Sequence, residues 1–235
     1  MRTIFAVLFA LTVAACTESA VPVSGPPPAL PDPGPAVTRS ATRVNFASVV
    51  ARMEPVIERE CRSRRASTDC DFLIRIDGRP GLPSNAYQSL DPAGRPVITF
   101  TESLIAETRN VDEIAFVLGH EAAHHIDKHL PRQQETALTG ALILGVLTAA
   151  SGGDETAVRT AQNVGGTLGA RRYAKDYELE ADALGTMLAW EAGYDPERGA
   201  AFFARIPDPG NQFLGTHPPN AARIDIVRRT LAGLR

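Results

Sequence analysis

A chain of 235 residues with a formal charge of −3 makes no electrostatic case for nucleic acid or an anionic bilayer as its main partner. Its 44% hydrophobic content is that of a globular protein, and the length fits one domain plus a tail, with a core of ordinary size.

The first residues, MRTIFAVLFALTVAAC, do not read as part of a fold. Arg2 supplies a basic start, and the apolar run from Ile4 to Val13 is too short to span a bilayer comfortably. Residues 1–15 are therefore expected to be a signal peptide. The small residues of VAAC resemble the bacterial lipobox, in which Cys16 becomes the lipidated first residue. By the same resemblance, Thr17 after the cysteine favours the outer membrane. The predicted location is the periplasm, anchored to the inner leaflet of the outer membrane. Residues 16–43 then form the lipidated N-terminus and a tether. The stretch VPVSGPPPALPDPGP cannot form helix or sheet ladders, because proline lacks the N–H, and reads as an extended spacer. Export places Cys61 and Cys70, nine residues apart, in an oxidising compartment, where they are expected to pair and staple a first helix to a first strand.

Residues 44–235 carry the domain. Residues 44–63 predict a helix bent at Pro55, and DFLIRID and PVITFT are short strands separated by a turn-rich segment. Residues 111–130 predict a helix whose apolar face holds Ile114, Val117, Leu118 and Ala122, with Pro131 as its stop. Residues 135–150 are helical and apolar, too short to span a membrane, and suit a buried or membrane-facing helix. A helical region from about Thr156 to Ala192 is expected to weaken at Gly165-Gly166, and residues 219–234 form a last amphipathic helix. The fold class is α+β, mostly helical with a small sheet.

Four of the five histidines crowd into VLGHEAAHHIDKH. Residues four apart share a helix face, so His120 and His124 can grip one Zn²⁺. Glu121 is rotated by about 100° from His120 and sits where a general base takes a proton from metal-activated water. His125 and His129 are also four apart but read as solvated helix-end histidines, suited to the helix dipole. The H-E-x-x-H pattern needs a third ligand. Asp127 and Leu130 stand where the metzincin pattern requires Gly and His, so that subclass is excluded. A later helix offers Glu178 and Asp182, four apart on one face: one can bind the metal while the other fixes a ligating ring. Glu180 points elsewhere.

His120-Glu121-Ala122-Ala123-His124, followed by Glu178-Leu179-Glu180-Ala181-Asp182-Ala183-Leu184-Gly185, resembles the zinc metallopeptidase family of HtpX-like and CAAX prenyl endopeptidase-like gluzincins. Among them the chain is most similar to the periplasmic lipoprotein members. The resemblance covers roughly residues 45–235, in a zincin-like domain whose active-site helix carries H-E-x-x-H. It implies one Zn²⁺ per chain, with Glu178 as the third ligand and Asp182 behind the ligands. THPPNAARI matches the family's His-Pro and following arginine at His217, Pro218 and Arg223. His217 is then expected over the metal, either as an oxyanion donor or as a ligand in the open position. Asn85 and Ala86, with Val97, Ile98 and Thr99, resemble the region that aligns the peptide substrate. Ala174-Lys175 replaces the Ser-Arg of many relatives, which touches a local ion pair and not the metal site. No repeat module is expected at the C-terminus. The activity implied is a membrane-anchored zinc-dependent endopeptidase in envelope protein quality control, with unfolded or misfolded envelope proteins as substrates. The alternative is a chaperone-like protein that holds substrates in the same groove with little turnover, but pure holding needs no base at Glu121.

Overall fold

The computed structural model describes residues 29–35, 38–64, 69–208 and 218–235. The signal segment, Cys16, most of the Pro-rich stretch and His217 lie outside the described residues. Helix α1 (Arg39–Arg64) begins before residue 44 and keeps Pro55 inside it. Phe46, Val49, Met53, Ile57 and Cys61 recur every three or four residues, and this stripe is buried. Cys61 is bonded to Cys70, with Cα atoms 5.7 Å apart, so the end of α1 is tied to the entry of the sheet as its chemistry suggests.

Three strands follow: β1 (Leu73–Asp77), β2 (Ala86–Leu90) and β3 (Pro96–Thr101). Their order is β1-β3-β2, with β3 parallel to β1 and antiparallel to β2. Every residue of β3 is buried, as expected of a strand paired on both sides and covered by helices. β2 falls inside the segment read as turns, because AYQSL is short and half polar and offers little strand signal.

Helix α2 (Glu102–Glu107) is capped by Thr101. Helix α3 (Val111–Ile126) starts at Asn110, whose side chain accepts from the Glu113 N–H, while the Glu113 carboxylate accepts from the Arg109 N–H. This arrangement satisfies donors that a helix start leaves unpaired. The helix stops at Asp127, not at Pro131. Lys128 takes the left-handed conformation at φ 55°, and α4 (His129–Ala150) begins directly after it. Pro131 therefore sits in the first turn of a new helix, where its missing N–H costs nothing.

Helix α4 and α5 (Glu155–Arg172) form a hairpin. A Cβ at Gly140 would lie only 2.2 Å from the Gly165 carbonyl oxygen, so the two backbones touch through glycine. Gly165-Gly166 thus serves packing within α5, and the chain breaks instead at Tyr173 before α6 (Ala174–Glu191). The apolar stretch of α4 is not core: Leu138, Leu142, Ile143, Val146 and Leu147 are each more than half exposed on the hairpin's outer face. No described helix is long and apolar enough to cross a membrane. Asp195 and Pro196 open α7 (Pro196–Ala200), which runs into a turn of 3-10 helix carrying Phe202 and Phe203. Helix α8 (Asn220–Leu234) closes the fold, with Arg223, Val227 and Leu231 facing inward. One core joins α1, the sheet, α3, α6 and α8.

Candidate metal centre

The site lies beside the crossing of α3 and α6. Gly119 and Gly185 set that crossing. A Cβ on Gly119 would meet the Gly185 carbonyl oxygen at 2.9 Å, and one on Gly185 would meet the His120 backbone nitrogen at 2.8 Å. Backbone contact at this point lets a glutamate on α6 reach histidines on α3.

His120 Nε2 and His124 Nε2 are 3.1 Å apart. Glu178 places Oε1 3.3 Å from His124 Nε2 and Oε2 3.7 Å from His120 Nε2. Tetrahedral bonds of about 2.0–2.1 Å put neighbouring ligand atoms about 3.3–3.4 Å apart, so these donors fit one zinc-sized ion. Among the described residues these three form the group able to hold a metal. Two imidazoles and one carboxylate are also the donor set of a site that keeps a position open.

Asp182, fully buried, stands behind His120 rather than on the metal position. Its Oδ1 accepts from His120 Nδ1 at 2.9 Å, which leaves the Nε2 lone pair for the ion. Arg223 of α8 clamps the same carboxylate, with Nε 2.7 Å from Oδ2 and Nη2 2.7 Å from Oδ1. Burial opposes a charged His120, but the hydrogen bond and charge of Asp182 outweigh it and hold His120 above the ordinary imidazole range. Protons would therefore compete with an ion for this imidazole.

His124 is supported differently. His129 is only 3% exposed, and its Nδ1 lies 2.9 Å from His124 Nδ1. Its Nε2 is 3.1 Å from Glu180 Oε2, and Arg132 Nη1 donates to that oxygen at 2.7 Å. Burial, with the neighbouring His124, pushes His129 down to about 4, so its ring is neutral at neutral pH. Its expected role as a solvated helix-end residue does not hold, nor does Glu180 point away from the site. On an unbroken helix His129 would stand about 140° from His124, but the turn at Lys128 brings it back. The clue lay in Pro131, which marks a helix start two residues after His129. His125 is also not solvated at a helix end: its Nε2 lies 2.9 Å from the Asp69 carbonyl oxygen, and its ring meets Phe72 edge-on at 5.3 Å.

A cleft of about 720 Å³ opens over the three donors and is also lined by Glu121, Asn85, Ala86, Tyr87 and Gln88. Val97, Ile98 and Thr99, expected to align substrate, occupy the central strand instead. Their backbone is paired with β1 on one side and β2 on the other, so no edge remains for a peptide. Among the described strands β1 and β2 are the two edges, and β2 is the one that lines the cleft. Apolar walls come from Phe116, Phe202 and Phe203.

A helix bearing two imidazoles and an adjacent carboxylate, crossed by a second helix that supplies a third donor, defines a metal-dependent hydrolase of the zincin type. Residues 56–231, most of the chain, match peptidase family M48, and the chain belongs to that metallopeptidase family. It is 28% identical over 144 residues to the beta-barrel assembly-enhancing protease of Yersinia pestis, covering 56% of this chain and 30% of that protein. The Escherichia coli protein of the same name is 26% identical over 151 residues, 59% of this chain and 31% of its own length. The mitochondrial metalloendopeptidase OMA1 of Schizosaccharomyces pombe is 28% identical over 174 residues, 68% of this chain and 50% of that protein. The chain thus spans half or less of the length of these relatives.

Proposed function

We propose that the chain is a zinc-dependent endopeptidase acting on unfolded or misfolded envelope proteins. One observation carries the reading: His120, His124 and Glu178 converge at ligand spacing in a cleft that also holds Glu121 and borders a free strand edge. Zinc bound by these donors would supply Lewis acidity and lower the pKa of water toward neutrality. Asp182 and Arg223 hold the His120 ring, so its Nε2 is presented without rearrangement. Glu121 takes the proton of the attacking water and returns it to the leaving amine. An extended peptide adds beside β2, where main-chain hydrogen bonds give affinity with little dependence on sequence. That mode suits substrates that have lost their fold.

The setting rests on two supports. Relatives named for beta-barrel assembly favour envelope protein quality control. The Cys61–Cys70 bond suits an oxidising compartment. Lipidation at Cys16 would then anchor the enzyme to the outer membrane, with the residues between Cys16 and the start of α1 at Arg39 as tether. Mass spectrometry of the mature protein tests the anchor, since an unmodified N-terminus would contradict it. His217, outside the described residues, is proposed on the motif resemblance alone as an oxyanion donor or an inhibitory ligand. His217→Ala separates the two roles: kcat falls in the first and activity rises in the second.

The function itself is tested with Glu121→Gln. This variant should keep its metal and lose casein hydrolysis by about 10²–10⁴-fold, as expected for removal of a general base. A chelator should abolish the wild-type activity. Wild-type turnover in the variant would overturn the mechanism, and casein binding without turnover in the wild type would favour holding over hydrolysis.

A further inference from the structure

His129 and Glu180 belong neither to the donor triad nor to the proton transfer given to Glu121, yet their contacts form an unbroken line that ends on a ligand. The line runs from Arg132 Nη1 to Glu180 Oε2 at 2.7 Å, from Glu180 Oε2 to His129 Nε2 at 3.1 Å, and from His129 Nδ1 to His124 Nδ1 at 2.9 Å. The direction of each hydrogen bond follows from one constraint. If His124 turns its Nε2 lone pair to the metal, its proton must sit on Nδ1. That proton can be donated only if His129 Nδ1 offers a lone pair. The proton of a neutral His129 is then on Nε2, where it donates to the Glu180 carboxylate. Every donor along the line meets an acceptor. The other neutral tautomer of His129 would set two N–H groups against each other at 2.9 Å and a lone pair against a carboxylate.

The ring is also held in place from its face. Tyr177 of α6 stacks on His129 with centroids 5.0 Å apart and planes at 13°. Arg132 covers the Tyr177 ring at 4.4 Å, so the same arginine braces both the carboxylate and the stack.

We propose that His129, oriented by Glu180 and Arg132, is a positioning residue that locks the metal ligand His124 in its binding tautomer and ring orientation. The proposal rests on His120, His124 and Glu178 being the metal triad. It assigns His124 a support built from a neutral imidazole, beside the carboxylate that supports His120.

The test is zinc affinity of the purified chain, measured by competition with a chromophoric chelator, together with the melting temperature of the metal-free protein. His129→Phe keeps an aromatic ring for Tyr177 but offers no lone pair. It should bind zinc about ten- to a hundredfold more weakly, the usual cost of losing a partner behind a ligand. His129→Asn, whose amide oxygen can accept from His124 Nδ1, should recover much of that loss. Glu180→Ala, a change at a 43% exposed side chain, should weaken zinc several-fold without altering the melting temperature of the metal-free protein. Wild-type affinity in both His129→Phe and Glu180→Ala overturns the proposal, as does an Asn variant no tighter than the Phe variant. Should His129→Phe fail to fold, Glu180→Ala decides alone. A wild-type chain that binds no zinc would instead overturn the triad, so the two failures are distinct.

Discussion

The two imidazoles that face the metal position stand one turn apart on α3, yet they are held by unlike chains of contacts. Behind His120 is a carboxylate with no exposure, locked by an arginine from α8 that is itself buried. Behind His124 is another imidazole, then a carboxylate and an arginine that are both partly in solvent. The His120 side joins α3, α6 and α8, so it ties the metal site to the core. The His124 side joins α3 to α4 across the Lys128 turn and reaches α6 only through the partly exposed Glu180 and the Tyr177 stack, so it ties the site mainly to the base of the hairpin. One imidazole is thus fixed by the part of the fold that costs most to disturb, and the other by a part that can yield.

If that contrast is right, breaking the buried side should do the most damage. Asp182→Ala leaves Arg223 buried without its main partner, which costs about 3–5 kcal/mol in stability, and frees the His120 ring. Chemical denaturation and zinc competition should show both losses, and a variant as stable as wild type would contradict the assignment. Gly185→Ala tests the helix crossing on which both sides depend. Its new methyl must meet the His120 backbone at 2.8 Å, and such overpacking costs about 1–3 kcal/mol. Because it also moves α6 away from α3, zinc should weaken more than the stability loss alone would suggest. The solvent side should give least. Arg132→Met removes an ion pair whose partners are both more than 40% exposed, worth at most about 1 kcal/mol. Thermal melting should barely change, while zinc affinity should fall less than in His129→Phe.

The same contrast explains what could be read from the sequence. That His120, Glu121 and His124 stand together at one cleft is legible from helical spacing and the H-E-x-x-H pattern. Glu178 and Asp182 share a face, and periodicity left open which of them binds; resemblance to the family chose Glu178, and the distances agree with it. Arg223 was visible only as part of a motif, because nothing in its spacing points to Asp182. His129 was misread for a physical reason. Its face depends on whether the helix continues through residues 127–129, and a single left-handed residue decides that. Lysine carries no strong signal for that conformation. The substrate strand was misplaced because β-type composition marks buried strands best, so the apolar β3 stood out while the exposed edge β2 did not. The apolar run of α4 fits either a buried or a membrane-facing helix in the sequence, because helix composition alone does not show what the helix packs against; the structure removes the buried reading.

The central claim is that one metal is held by His120, His124 and Glu178. Elemental analysis of purified Glu178→Ala and Glu180→Ala beside the wild type tests it most directly, because the two glutamates lie on the same helix two residues apart. The account predicts one zinc per chain in the wild type and in Glu180→Ala, and none in Glu178→Ala. Zinc retained by Glu178→Ala and lost from Glu180→Ala would contradict it and move the ligand to the other glutamate.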